Sequence, residues 1–227
     1  MSVAKLDLKA IGVRGVNAAL HDLPKGSNET QWVIENPMGQ HNIACGLDAP
    51  IEVTLSGHAG FYCGGMNKEA TITVKGHSGV GTGENMMSGV IRVTGNASES
   101  AGATGHGGLL IIEGDASSRC GISMKGLDIV VGGSVGHMSA FMAQSGHLVV
   151  CGDAGDALGD SIYEAILFVR GKVASLGADC IEKEMRPKHL AKLTELLEAA
   201  GFDADPAEFR RYGSARKLYN FDIDNAY

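Results

Sequence analysis

Residues 71–90, TITVKGHSGVGTGENMMSGV, begin with a short alternating apolar run, reach Gly76, and continue through Gly79, Gly81 and Gly83 with few large side chains. A conventional core cannot be built from such a stretch, so its glycines must have a regular use. The Gly that closes each short apolar run recurs at Gly57, Gly76, Gly95, Gly114, Gly133, Gly152 and Gly171, each nineteen residues after the last. A fixed period of this length marks a stacked repeat.

The rest of the unit keeps the same register. Four and two residues before each anchor glycine stand Val53 and Leu55, Ile72 and Val74, Ile91 and Val93, Leu110 and Ile112, Ile129 and Val131, Leu148 and Val150, Leu167 and Val169. That two-residue period describes a strand with one buried face. Three residues after the anchor come Gly60, Gly79, Gly136 and Gly155, relaxing to Ser98, Ser117 and Ala174; seven after it come Gly64, Gly83, Gly102, Gly121 and Gly159, relaxing to Ala140 and Ala178. Each unit is therefore a strand followed by GxxGxxxG. A weaker copy, WVIENPMGQHNIACG, precedes them, its Gly39 one residue out of step.

A unit with one strand, small residues at its corners and no helical period cannot bury its apolar side alone and must stack on copies of itself. The expected fold is all-β: a right-handed, single-stranded parallel β-helix of about seven 19-residue coils, with a short α-helical C-terminal extension. At a strand spacing of about 4.8 Å the stack is roughly 35 Å long. Glycine suits the corners because the chain turns there with positive φ, and because stacked backbones leave no space for a Cβ. The Ala replacements late in the array suggest looser turns in the last coils. A phosphate-cradling loop fits less well, since no helical pattern follows these glycines. The expected organisation is an N-terminal cap over 1–32, the β-helix over 33–180, and a helical segment with a docking tail over 181–227.

Three residues before each anchor the outward face reads Thr54, Thr73, Arg92, Ile111, Val130, Val149, Phe168, polar on early coils and apolar on late ones. The apolar stripe Ile111, Val130, Val149 and Phe168 needs a cover. One candidate is RPKHLAKLTELLEAAG, a helix with Pro187 near its start, Leu190, Leu193, Leu196 and Leu197 on one face and Gly201 as C-cap. Another is a different subunit. A second short helix is expected in DPAEFRRYG, with Asp205 as N-cap and Pro206 in its first turn. The final ARKLYNFDIDNAY, with Leu218, Tyr219, Phe221 and Tyr227, lacks helical spacing and reads as a tail that docks on something.

Composition narrows the function classes. The 33 Gly against five Pro and 20% charged residues fit neither collagen nor a disordered linker. A net charge of -7 argues against a nucleic-acid groove or an anionic membrane surface. The five cysteines (Cys45, Cys63, Cys120, Cys151, Cys180) form no CxxC and read as reduced thiols of a cytoplasmic protein. Nowhere do 18 apolar residues run together, and MSVAKLDLKAIGVRGVNAAL lacks a leader's apolar core, so a soluble, unprocessed chain is expected.

No catalytic constellation emerges from spacing. His58 and His77 share a column just after their anchors, but it continues Asn96, Asp115, Ser134, Asp153, Lys172, which reads as a solvated turn edge and not a metal site. Cys63 and Cys120 share another column three coils apart, about 14 Å and too far for a disulfide. Glu84, Glu99, Arg119 and Asp156 form no triad or carboxylate pair, and nucleophile elbow, P-loop and dinucleotide fingerprints are lacking.

The repeated motif in GHAGFYCG, GHSGVGTG and GDASSRCG resembles the GXGXG family, which covers the C-terminal domain of the glutamate synthase large subunit and the β-helical subunit of formylmethanofuran dehydrogenase. The resemblance spans about residues 33–180. Size and the tail FRRYGSARKLYNFDIDNAY are most similar to the stand-alone GXGXG subunit of the N-methylglutamate synthases. That resemblance implies a structural, non-catalytic chain without cofactor of its own, joined to a glutamine-amidotransferase-like subunit and an FMN-binding synthase-like subunit. The assembly would make N-methylglutamate and ammonia from glutamate and methylamine. The alternative is the β-helical subunit of a formylmethanofuran dehydrogenase or formyltransferase/hydrolase complex. An autonomous β-helix acyltransferase would need hexapeptide repeats, which the 19-residue period argues against.

Overall fold

The computed structural model describes residues 3–23 and 30–216. Its core is a parallel β-solenoid. Strands β1 (Val3–Asp7), β2 (Gln31–Glu35), β3 (Glu52–Leu55), β4 (Thr71–Val74), β5 (Val90–Val93), β6 (Leu109–Ile112), β7 (Lys125–Val131), β8 (Ser145–Val150) and β9 (Ile166–Val169) lie side by side in chain order. From β3 to β9 each inward residue stacks on the residue nineteen positions later, as in Ile72↔Ile91, Leu110↔Ile129 and Leu148↔Leu167. The pairs named from alternation point inward, and all but the first coil's Val53, itself nearly so, have lost all exposure to solvent. Stacking aliphatic on aliphatic, Val, Ile or Leu at every level, fills the bore without a second layer of structure.

The weaker first copy is a complete coil with extra residues. Trp32 and Ile34 pair with Val53 and Leu55 across an offset of 21, and at its corner Gly64 N–H donates to Ile43 O, one residue further back than in the later coils, where Gly83 N–H donates to Cys63 O. A second line of parallel bridges runs through Ser78, Ala97, Ala116, Val135, Ala154 and Val173, two residues after each anchor. This inward column of small side chains lets the opposite wall approach β3–β9.

Both ends of the stack are covered. Part of 1–32 joins the sheet, since β1 pairs in parallel with β2. Helix α1 (Leu8–His21), broken at Gly12, then turns Leu8, Val16 and Leu20 into the core. Asn17 completes the cap by imitating a further coil: its Nδ2 donates to Asn42 O and its Oδ1 accepts from Ala44 N–H. At the other end β10 (Cys180–Lys183) and β11 (Arg210–Ser214) run antiparallel, with β11 inserted between β9 and β10. A strand therefore closes the sheet, not a helix.

Helix α2 (Pro187–Ala200) has Pro187 in its first turn and a left-handed Gly201 (φ 73) as C-cap, as its sequence requires. The expected second helix is only a 3-10 turn, Pro206–Glu208, capped by Asp205 Oδ1 accepting from Ala207 N–H. Arg210–Ser214 leaves it as a strand because β9 on one side and β10 on the other offer it ladders, worth more than a further turn of helix. Of the expected docking tail, residues 217–227 lie outside the described residues.

Candidate functional site

The polar column after the anchors is exposed, as expected for a turn edge, but it is also a continuous hydrogen-bonded ladder. His58 Nδ1 accepts from His77 N–H (2.9 Å), and His77 Nδ1 from Asn96 N–H (2.9 Å). Asn96 Oδ1 accepts from Asp115 N–H (3.0 Å), Asp115 Oδ1 from Ser134 N–H (2.7 Å), Ser134 Oγ from Asp153 N–H (3.0 Å), and Asp153 Oδ1 from Lys172 N–H (2.7 Å). Each side chain thus satisfies a backbone donor of the coil above, which the corner geometry takes out of the sheet ladder. The two imidazoles stack with centroids 5.0 Å apart and each uses Nδ1 as acceptor, which places the proton of the neutral ring on Nε2. The signal was readable: every member below Lys172 is an acceptor, and each is followed eighteen residues later by Gly.

That Gly belongs to the same device. A Cβ on Gly76 would lie 2.5 Å from His58 Nδ1, and one on Gly95 2.6 Å from His77 Nδ1. On Gly114, Gly133 and Gly171 it would fall on Asn96, Asp115 and Asp153, and on Gly152 it would meet Ser134 Oγ at 2.5 Å. Gly57 instead faces Pro37. At the second corner the obstacle is mainly backbone: Gly60 abuts Gly39 O and also the His41 ring, Gly79 abuts Gly60, Gly136 abuts Ser117 and Ser118, and Gly155 abuts Gly136.

The third corner needs glycine for conformation. Gly64, Gly83, Gly102, Gly121 and Gly159 all have φ between 64 and 69. Ala140 keeps the same left-handed turn at φ 57, so this late coil does not turn less tightly. Only the final coil departs: it is one residue shorter, Leu158 bridges Leu176, neither Gly177 nor Ala178 is left-handed, and Asp179 (φ 64) keeps the flanking left-handed position level with Ser161 (φ 55). Left-handed residues also flank the third corner on both sides, among them Tyr62 and Met66, Arg119 and Ser123, Met138 and Met142. Sequence reasoning missed these positions because most are not glycine.

The apolar stripe is covered from within the chain. Ile111, Val130, Val149 and Phe168 are buried with Leu193, Leu196, Leu197, Ala200 and Phe209, so α2 lies along the late coils. Polar groups lock its edges. Arg92 donates to Ala200 O (2.9 Å) and pairs with Glu113 (2.9 Å). Asp128 meets His147 Nδ1 at 2.7 Å and Lys192 Nζ at 3.2 Å. Burial pushes the Asp128 carboxyl up, but the His147 hydrogen bond and the charges of His147 and Lys192 outweigh it and hold the group below its usual 3.8.

Of the remaining candidates, Glu99, Arg119 and Asp156 take structural partners. Arg119 pairs with Glu99, and Asp156 accepts from Ser175 Oγ (3.0 Å). Cys63 and Cys120 point into the bore and all five cysteines are free; burial raises the Cys63 and Cys120 thiols to about 12. Among the described residues no group of three or more His, Cys, Asp or Glu gathers as metal ligands. No helix among them is long and apolar enough to cross a membrane.

No protein-family model matches the sequence. The chain is 63% identical over 222 residues to Protein GlxC of Rhizobium meliloti (strain 1021), the match covering 97% of each. This chain belongs to the GlxC family. Because the match spans nearly the whole chain, both caps as well as the coils fall within what the two GlxC-family proteins share.

Proposed function

We propose that this GlxC-family chain is a non-catalytic scaffold subunit of a glutamate-synthase-type complex, with N-methylglutamate synthase as the specific assembly. It holds an amidotransferase-like subunit and an FMN-binding synthase-like subunit together, and the flavin belongs to the latter. The complex is cytoplasmic and converts glutamate and methylamine to N-methylglutamate and ammonia. The observation that carries the reading is the corner ladder. The column side chains suited to acid-base work, His58, His77, Asp115 and Asp153, each commit one acceptor atom to a backbone N–H of the next coil. The repeated GxxGxxxG on a solenoid supports the family resemblance.

The test is to isolate the native complex through a tag on this chain, identify what co-purifies by mass spectrometry, and record its visible spectrum. A flavin spectrum, two partners of the stated kinds and methylamine-dependent turnover are expected. A colourless preparation carrying an amidohydrolase and a formyltransferase would replace this reading with the one-carbon alternative.

A further inference from the structure

Repeated coils provide their own control, because the same backbone position is filled several times. Eleven residues after each anchor the side chains Lys68, Met87, His106, Lys125, Gln144 and Tyr163 stand exposed one above another, forming a ridge along one edge of the solenoid. Nine residues after the anchor, beside that ridge, the middle coils place Asn85, Thr104 and Ser123, whereas the first coil places Met66 and a late coil Met142. Both methionines are left-handed, at φ 57 and φ 52, where a small polar residue serves the other coils equally well. Met66, Met87 and Met142 are 57%, 48% and 42% exposed. None of the side chains of Lys68, His106 and Lys125 has a hydrogen-bond or ion-pair partner among the described residues. The ridge therefore combines exposed apolar surface with unpaired basic groups on a chain whose net charge is -7.

The chain itself leads to this ridge. The last described residue, Arg216, is held by an ion pair to Asp179, and Asp179 follows Ala178, whose carbonyl accepts the N–H of Ser161 (2.8 Å), two residues before Tyr163. Ala215 N–H donates to Asp179 O at 2.7 Å. Tyr163 is the top of the ridge, and Met142 is one coil below it, next to Ala143, whose carbonyl accepts Tyr163 N–H (2.9 Å). The following residues, 217–227, read KLYNFDIDNAY. They offer Leu218, Tyr219, Phe221 and Ile223 to apolar neighbours and Asp222 and Asp224 to cations. Eleven residues reach at most about 36 Å, and the ridge from Tyr163 to Lys68 is about 24 Å long at 4.8 Å per coil.

We propose that residues 217–227 dock in cis on this ridge, with their apolar side chains over Tyr163, Met142 and Met87 and Asp222 and Asp224 against Lys125 and His106. The C-terminal segment then finishes the solenoid along its edge as α2 finishes it along its face.

Methionine oxidation reads this directly. The full-length chain is treated with dilute hydrogen peroxide and the rate at each Met followed by mass spectrometry, with Met38, 75% exposed at the other end, as the open reference. In the unaltered chain Met142 and Met87 should oxidise more slowly than Met38. The full-length variant Leu218→Ser/Tyr219→Ser/Phe221→Ser should speed Met142 by at least about threefold and leave Met38 unchanged. Equal Met142 rates in the two chains would overturn the proposal. Protection that grows with protein concentration would assign the ridge to a second copy, and protection arising only with partner subunits would assign it to them; either result also overturns docking in cis. As a second measurement on the unaltered chain, a zero-length carbodiimide cross-link from Lys125 to Asp222 or Asp224 is expected, and its absence counts equally against the proposal.

Discussion

His77 Nδ1 accepts the N–H of Asn96 at 2.9 Å, and the same nitrogen stands 2.6 Å from where a Cβ on Gly95 would be. The ladder and the anchor glycine are therefore one arrangement: the acceptor can reach the coil above only where that coil carries no side chain at its anchor. This gives the GxxGxxxG motif a cause beyond turning the chain.

Gly95→Ala should destabilise the chain by about 1–3 kcal/mol, the usual range for an intruding methyl in a packed position. Part of that cost should disappear in a His77→Ala background. Some should remain, because the new Cβ also meets Gly76 O at 2.9 Å. Urea unfolding of the four proteins in this cycle measures the coupling, and strict additivity would contradict a shared origin.

Gly102→Val tests the structural role. Gly102 has φ 69, and its Cβ would lie 2.7 Å from Ile129 Cδ1 and 2.9 Å from Leu127 Cδ2. The variant should lose thermal stability in isolation, and any complex should lose activity only in proportion to the folded chain that remains. A fully assembled, stable but inactive complex would show that this coil takes part in chemistry.

Leu193 is buried where α2 meets the stripe. Leu193→Ala should cost about 2–5 kcal/mol if the lost contacts are those of an ordinary core leucine. Limited proteolysis should then cut first in α2 while the early coils resist. Uniform degradation along the chain would mean that α2 and the solenoid unfold as one unit.

Asp128 links α2 to acid. Its carboxyl is held below 3.8, so the contribution of its contacts with His147 and Lys192 is complete above the unfolded value and is lost as pH falls through the folded one. Between pH 6 and pH 3 the chain should lose stability more steeply than Asp128→Asn, which has no such proton to bind. Parallel unfolding midpoints for the two chains over that range would refute the linkage.

Thiol labelling should single out Cys45. It is the least buried of the five cysteines, whereas Cys63 and Cys120 are enclosed in the bore with thiols raised to about 12. Iodoacetamide at mildly alkaline pH should modify Cys45 first, and Cys63 and Cys120 only after unfolding, as peptide mapping would show.

Sequence by itself determined the solenoid, because the forces that build it are local and repeated. Alternation at Ile72 and Val74 or Leu148 and Val150 names the inward face, and a nineteen-residue period leaves stacking as the way to bury it. Pro187 and Gly201 bounded α2 for the same reason, since caps act within a turn of the helix. Tertiary structure alone decided what depends on the distance between coils. It turned a polar column into a ladder, divided the glycines into those that make room and those that turn left-handed, and put α2 over Val130 and Val149. It also drew Arg210–Ser214 into the sheet beside β9, a pairing partner more than forty residues away that no local pattern in FRRYG could announce.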